Sequence, residues 1–145
     1  MSQAIRQRIY NMCSAYGQGN LDFVLNFVDD DVHFVSHAPP AIFPCLGKQR
    51  GKAAVARTLE TIHAHFEFHS YLPIFTIVEG DHAAVIVLAV MKQRATGRTI
   101  QIRFAHFVRF QDGRIVDFRE FLDSFDAVEQ VLGHEIEIAS LGTIN

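Results

Sequence analysis

Two residues that can accept or donate a proton interrupt otherwise apolar strand faces near the C-terminal end of the sequence. His106 stands in an alternating apolar series over residues 100–110, and Glu120 stands in a second series over residues 116–122. Because alternate side chains of a strand point to the same face, each of these residues is the polar member of an apolar face. A carboxyl group and an imidazole are the residue types that general acid–base catalysis uses.

The turn between the two strands decides which residues face each other. Asp112-Gly113 is a pair that favours tight hairpins. We predict a three-residue loop over 112–114, with Gly113 left-handed and a bulge beside it. In that register His106 lies directly opposite Glu120, which makes the two residues a candidate catalytic pair.

Three interpretations of this pair follow from its chemistry. In a catalytic one, the apolar pocket raises the pKa of Glu120, which removes a proton next to a substrate carbonyl while His106 hydrogen-bonds to the developing enolate oxygen. In a structural one, the two side chains satisfy each other as a buried polar pair. In a third, they hold the polar group of a bound ligand without catalysing a reaction.

Composition limits the classes of partner. The 145 residues are 49% apolar and carry a net charge of −3, which favours a single globular domain and argues against nucleic-acid binding. The longest apolar run, residues 83–91, is too short to span a membrane, and residues 1–3 lead into an amphipathic pattern without a signal peptide. We therefore expect a cytoplasmic protein. The 13 Phe residues and absence of Trp indicate a core or cavity walled by aromatic rings.

Periodicity predicts four helices and five strands, with a single domain over residues 1–133 and a tail over 134–145. The first helix begins at Ser2 and buries Ile5, Ile9, Met12 and Tyr16. The other predicted helices are 21–28, 52–66 and 124–132, and the strands are 32–37, 68–79, 82–94, 99–110 and 114–122. Residues 38–51 contain three of the four prolines and are expected to be a loop without regular structure, forming a lid or a wall of a site.

This order predicts an α+β fold in which a curved antiparallel sheet carries three N-terminal helices on its concave face. The resulting cone leaves a pocket at its wide end. The opposite sheet face mixes apolar residues such as Phe107 and Phe121 with arginines. A mixed surface of this kind predicts a homodimer formed through the sheets.

Several local motifs resemble the nuclear transport factor 2-like superfamily, which includes ketosteroid isomerases, limonene epoxide hydrolases and SnoaL-like polyketide cyclases. They are Gly19-Asn-Leu-Asp22 followed by Phe27-Val-Asp-Asp30, the helix start Gly51-Lys-Ala-Ala54, and the hairpin run from His106 to Ile115. The resemblance covers residues 3–133. It implies the cone-shaped fold, which hosts enzymes, transport adaptors and scaffolds alike.

The catalytic positions of these relatives are matched unevenly. The resemblance places the hydrogen-bonding Tyr of ketosteroid isomerases at Met12, their proton-moving base at Ser36 and their second hydrogen-bonding acid at His106, so the isomerase mechanism is not reproduced. Residues 118–123 resemble a run of limonene epoxide hydrolases, but the Arg and second carboxylate that those enzymes need are missing from the inward strand faces. SnoaL-like cyclases use a His and a carboxylate from these two strands, which match His106 and Glu120.

We therefore predict an isomerase- or cyclase-type enzyme that acts on a small hydrophobic molecule, with no cofactor and no metal. The alternative is a non-catalytic ligand-binding or assembly module of the same fold. His63, His65 and His69 lack a shared helix face and a carboxylate, so we expect exposed imidazoles rather than a metal site. The predicted substrate-binding residues are Met12, Tyr16, Phe34, Ser36, Phe104, Phe118 and Leu122.

Overall fold

The computed structural model describes residues 2–138, so most of the predicted tail over 134–145 lies outside the described residues. The described part of the chain contains four α-helices: α1 Ser2–Gly17, α2 Leu21–Leu25, α3 Lys52–His65 and α4 Ser124–Leu132. Helix α2 was predicted to reach Val28 but ends earlier, because Val28 already belongs to a strand and pairs with Ile115. The carboxylate of Asp123 accepts a hydrogen bond from the backbone N–H of Asp126 and caps α4.

Six strands form one sheet within residues 2–138. They are β1 Val28–Ser36, β2 Lys48–Arg50, β3 Phe66–Glu79, β4 His82–Gln93, β5 Thr99–Gln111 and β6 Arg114–Leu122. Strand β2 was not predicted, and β1 and β3 begin earlier than predicted. Strand β1 begins at Val28 rather than at residue 32. The prediction that 38–51 lacks regular structure is wrong for β2, which ends that segment and pairs with β1.

The sheet has the order β2-β1-β6-β5-β4-β3. Strands β3 to β6 are antiparallel neighbours, as their short turns require. Strand β1 joins this sheet through a parallel pairing with β6. The long connection from β1 back to β6, through α3 and four strands, makes that parallel pairing possible and places β1 beside Glu120.

Helices α1, α2 and α3 cover one face of the curved sheet and form the main core with it. Ile9 of α1, Val24 of α2 and Leu59 of α3 are buried together with Val85 and Val87 of β4. A second group of buried residues, which includes Ala127 of α4, lies towards the other end of the strands. Together these contacts form the predicted cone. Within residues 2–138, no helix has both the length and the apolar character that crossing a membrane requires.

The β5–β6 hairpin has the predicted pairing but a different turn. Asp112 and Gly113 both have positive φ angles, 52° and 78°, as in a two-residue type I′ turn. Gln111 pairs with Arg114 across that turn, so the expected three-residue loop is wrong. The bulge instead lies between the pairs Arg109–Asp117 and Phe110–Ile115, where Val116 is the extra residue.

This bulge restores the register that places His106 opposite Glu120. It also turns Ile115 inward, where it is 2% exposed, and the core position predicted for Val116 is filled by Ile115.

Candidate active site

His106 and Glu120 face each other from neighbouring strands inside the cone. They are directly paired in the β5–β6 register and are 3% and 9% exposed. The His106 Nε2 and the Glu120 Oε2 are 3.8 Å apart, which is longer than a hydrogen bond. The buried Nε2 has no hydrogen-bond partner in the described part of the chain. The two side chains therefore do not satisfy each other, although each is close enough to contact one small ligand.

Burial shifts the pKa values of the two groups in opposite directions. Loss of hydration raises the pKa of Glu120 to about 8. The same effect lowers the pKa of His106 to about 3. Near pH 7 the imidazole is thus neutral, and the Glu120 carboxyl group is protonated in most molecules. The pair is a neutral acid beside a neutral imidazole rather than a salt bridge.

A cavity of about 70 Å³ lies against this pair, and its lining is mostly apolar. A second cavity of about 40 Å³ adjoins it towards the other end of the strands. Five residues border both cavities, so Glu120 stands between two adjacent spaces: Tyr16, Leu46, Ile62, Tyr71 and Glu120.

Six of the seven predicted substrate-binding residues line one of these cavities. Met12, Phe34 and Phe118 border the larger cavity, Phe104 and Leu122 border the smaller one, and Tyr16 borders both. The Phe34 and Phe118 rings stack with their centroids 5.2 Å apart and form a flat wall beside His106. Two β-strands that pair in parallel present these rings, because Phe34 and Phe118 are register partners.

Ser36 is the predicted residue that does not line either cavity. It is 6% exposed, and its Oγ accepts a hydrogen bond from the backbone N–H of Ala38 at 3.2 Å. Ser36 is the register partner of Glu120 on β1. Its hydroxyl is used to shape the start of the following loop.

Tyr71 is a cavity residue that sequence reasoning missed. Strict alternation along β3 would place Phe68 and Tyr71 on opposite faces. A bulge at His69, between the pairs Phe68–Met91 and Ser70–Val90, turns both aromatic side chains inward. No residue type in this stretch of sequence marks the bulge, so the pattern alone could not have revealed it.

Tyr71 and Tyr16 form an aromatic pair next to Glu120, with ring centroids 4.5 Å apart. Burial, followed by the nearby Glu120 carboxylate, raises the pKa of Tyr16 well above its usual value. Burial also raises the pKa of Tyr71, with smaller contributions that include Glu120. Both hydroxyls therefore keep their protons and can only act as neutral hydrogen-bonding groups.

His63 differs from the exposed imidazole that was expected. Its ring contacts Tyr16 edge-on, with centroids 4.7 Å apart, and stacks on Phe68 at 4.6 Å. Burial lowers its pKa, and the positive charge of Arg94 adds to this effect. Within residues 2–138 there is no group of three or more His, Cys, Asp or Glu side chains arranged to hold a metal ion.

Comparison with known proteins agrees with this architecture. Residues 9–118 match the SnoaL-like domain family. A protein provisionally named an isomerase, from Rhodopseudomonas palustris, is 29% identical, with 90% of this chain and 97% of that chain covered and a TM-score of 0.80. Comparison with curated proteins gives no significant match.

Two more distant structures share the fold. TerC, co-crystallised with polyporic acid, is 17% identical over 89% of this chain and 98% of its own, with a TM-score of 0.79. A protein provisionally named a polyketide cyclase, from Pseudomonas putida KT2440, is 19% identical over 85% and 94% of the two chains, with a TM-score of 0.73. With the family matched over residues 9–118 and the cone-shaped fold in place, this chain belongs to the SnoaL-like domain family.

Proposed function

We propose that this protein is an isomerase- or cyclase-type enzyme that removes a proton next to the carbonyl group of a small hydrophobic molecule. The observation that carries the proposal is the pairing of Glu120 with His106 at the wall of an apolar cavity, with the buried Nε2 of His106 left without a partner. A buried polar atom without a partner costs stability. A function that uses the atom explains why it is tolerated.

Glu120 is the base in this mechanism. Its ionised carboxylate takes the proton from the carbon next to the carbonyl, and the electron pair of the broken C–H bond moves onto the carbonyl oxygen. With a pKa of about 8, about one Glu120 in ten is ionised at pH 7. The raised pKa makes that ionised fraction a stronger base than an exposed glutamate, which the weak acidity of such a C–H bond requires.

His106 is the group that stabilises the enolate oxygen. Its imidazole is neutral, so its Nε2 donates a hydrogen bond in the tautomer that carries the proton there. Tyr16 and Tyr71 border the same cavities and add hydroxyl donors. Glu120 then returns the proton to a different carbon in an isomerisation. In an aldol-type cyclisation the enolate carbon instead attacks a second carbonyl, and the alkoxide that forms takes the proton from Glu120.

The size of the cavity favours a compact ligand. Pockets for drug-sized molecules occupy roughly 300–1,000 Å³, whereas the larger space here is about 70 Å³. A single ring fits only if side chains such as Leu46 and Ile62, which separate the two neighbouring cavities, move apart. Solved structures of this fold support ligand binding, since TerC was crystallised with polyporic acid.

Deuterium exchange tests the proposal without a known substrate. The protein is incubated in D₂O with a panel of small ketones, such as acetophenone, cyclohexanone and 2-tetralone, and loss of the proton next to the carbonyl is followed by NMR. We expect faster exchange with the wild-type protein than with Glu120→Gln. The matched control is Glu67→Gln, which changes an exposed glutamate on β3. Equal exchange with Glu120→Gln would remove Glu120 from the mechanism.

The small cavity also favours a second function, a non-catalytic binding or assembly module. In that case the ketones bind or fail to bind, but none exchanges its protons faster than in buffer. Failure of the whole panel, together with NMR shifts of cavity residues on ligand binding, would support the binding module over the enzyme.

We further propose that two copies associate through the outer face of the sheet. Apolar side chains on that face are well exposed, among them Leu72 at 51%, Ile77 at 52% and Phe107 at 51%. Phe121 lies on the same face and stacks on His37 with ring centroids 4.3 Å apart. A contiguous exposed apolar surface of this kind favours self-association.

A further inference from the structure

An apolar groove of about 320 Å³ lies on the outside of the protein next to the smaller inner cavity. The loop between β1 and β2 forms one side, and the C-terminal half of α3 forms the other. Three residues border both the groove and the 40 Å³ cavity: Phe43, Ile62 and Phe66. Ile62 also borders the 70 Å³ cavity, so a single layer of side chains separates the groove from the space beside Glu120.

Phe43 is the member of this layer that belongs to the loop. Its side chain is 8% exposed and packs on Phe66 with ring centroids 5.9 Å apart. Ile62 and Phe66, in contrast, belong to a helix and a strand whose backbone hydrogen bonds fix them. Opening the layer therefore requires the least rearrangement at Phe43.

The loop is attached on both sides of Phe43. At its start, the backbone N–H of His37 donates to the backbone carbonyl of Glu120 at 2.9 Å. At its end, the carbonyl of Cys45 accepts hydrogen bonds from Thr58 and Gln49 at 3.2 and 3.3 Å.

Between these anchors, the backbone hydrogen bonds stay within the loop. The carbonyl of Pro39 accepts from the N–H groups of Ile42 and Phe43 at 3.1 and 2.9 Å. Apolar packing holds this part of the loop against the protein, which lets it move as a unit about its two anchors.

We propose that the outer groove is the access route to the central cavity and that Phe43 is its gate. The inference rests on the proposed function only in taking the central cavity as the binding site. Passage requires the Phe43 ring to leave Phe66 and Ile62, which joins the groove to the 40 Å³ cavity and so to Glu120. From there, displacement of Leu46 and Ile62 opens the way into the 70 Å³ cavity. No bond is made or broken in this step.

The two cysteines of the chain lie on opposite sides of this gate. Cys45 borders the groove and is partly exposed, whereas Cys13 borders the 70 Å³ cavity and is 1% exposed. A small uncharged thiol reagent, methyl methanethiosulfonate, reaches Cys45 from outside but reaches Cys13 only through the interior. Mass spectrometry of peptides follows the two reactions separately and needs no ligand and no activity.

We expect Phe43→Ala to increase the rate of Cys13 modification at least about tenfold, the effect of lowering a barrier by about 1.4 kcal/mol. Phe43→Trp, which keeps the site filled, should lower the rate below that of the wild type. The control is Phe110→Leu, which shortens a buried side chain of β5 that borders none of these three spaces. It destabilises the fold without touching the gate.

Three results would overturn the gate, the first two of which concern the Phe43 variants and their control. One is a Cys13 rate that both Phe43 variants leave unchanged. The other is an equal acceleration in Phe110→Leu once the rates are compared at matched free energy of unfolding, since Cys13 would then react by general unfolding. A larger acceleration by Val24→Ala, which thins the α2 side of the same cavity, would place the route there instead. None of these outcomes depends on ketone exchange, so the gate and the proposed reaction fail separately.

Discussion

The Nε2 atom of His106 and the Oε2 atom of Glu120 lie 3.8 Å apart in the buried wall of the cone, without a hydrogen bond between them. Both groups are neutral near pH 7, because burial raises one pKa and lowers the other. The pair is therefore prepared to exchange hydrogen bonds with a ligand rather than with itself.

The first prediction concerns stability against pH. Glu120 has a pKa of about 8 when folded and 4.5 as its ordinary value, so the folded state binds the extra proton between these limits and stability falls as pH rises through them. His106 has a pKa of about 3 when folded and 6.5 as its ordinary value, so its contribution makes stability fall as pH decreases from 6.5 to 3. The two contributions oppose each other between 4.5 and 6.5, which leaves the Glu120 effect alone from 6.5 to 8.

Over that window the wild-type protein should lose about 2 kcal/mol more of its unfolding free energy than Glu120→Gln does. Urea denaturation of both proteins at the two ends of the window measures this difference. Other titrating groups are shared and cancel in the comparison. Parallel pH dependences for the two proteins would show that Glu120 titrates in the ordinary range.

The second prediction concerns the unpartnered nitrogen of His106. Replacing His106 by phenylalanine removes a buried polar atom and places an apolar ring beside Phe104 and Phe118. We expect His106→Phe to increase the free energy of unfolding by about 1–3 kcal/mol and to slow ketone exchange. A loss of stability of similar size would instead mean that Glu120 and His106 support each other structurally.

The third prediction concerns Tyr71, the cavity residue contributed by β3. Tyr71→Phe removes only the hydroxyl group, so folding should be preserved while ketone exchange slows by roughly 100- to 1,000-fold, as expected for one lost donor to an enolate oxygen. The change should be in the rate at saturating ketone more than in ketone affinity. Unchanged exchange would limit Tyr71 to a packing role.

The fourth prediction concerns the outer sheet face. Phe107→Asp places a charge in the middle of the exposed apolar surface and should convert dimers into monomers in sedimentation velocity experiments. Tyr10→Asp, at a residue of α1 that is 57% exposed away from this face, serves as the control. A wild-type protein that is already monomeric at high concentration would contradict the proposed dimer.

The fold and the pairing of His106 with Glu120 could be predicted from sequence because strand alternation and turn residues are local signals. The predicted pairing of His106 with Glu120 is present, but it arises in a different way. A two-residue turn and a bulge at Val116 replace the predicted three-residue loop. The two bulges, at Val116 and His69, have no marker in the sequence. They decide whether Ile115 and Tyr71 face the cavity.

Tertiary packing accounts for the other differences. The β2 strand forms because β1 offers it an edge for pairing, which no local pattern announces. His63 is covered by Tyr16, which is far from it in sequence, and by Phe68, which lies on the strand that follows α3. The volume of the cavity depends on how the Phe rings and Leu46 fill the cone, and composition alone could not give it.

The central claim is that Glu120 is a protonated carboxyl with a pKa far above that of an exposed glutamate. Titration of its side-chain carboxyl carbon by ¹³C NMR tests this claim most directly, with the signal assigned by its loss in Glu120→Gln. The account predicts a midpoint near pH 8. A midpoint near 4.5, the ordinary value, would contradict both the buried neutral acid and the base that the proposed reaction requires.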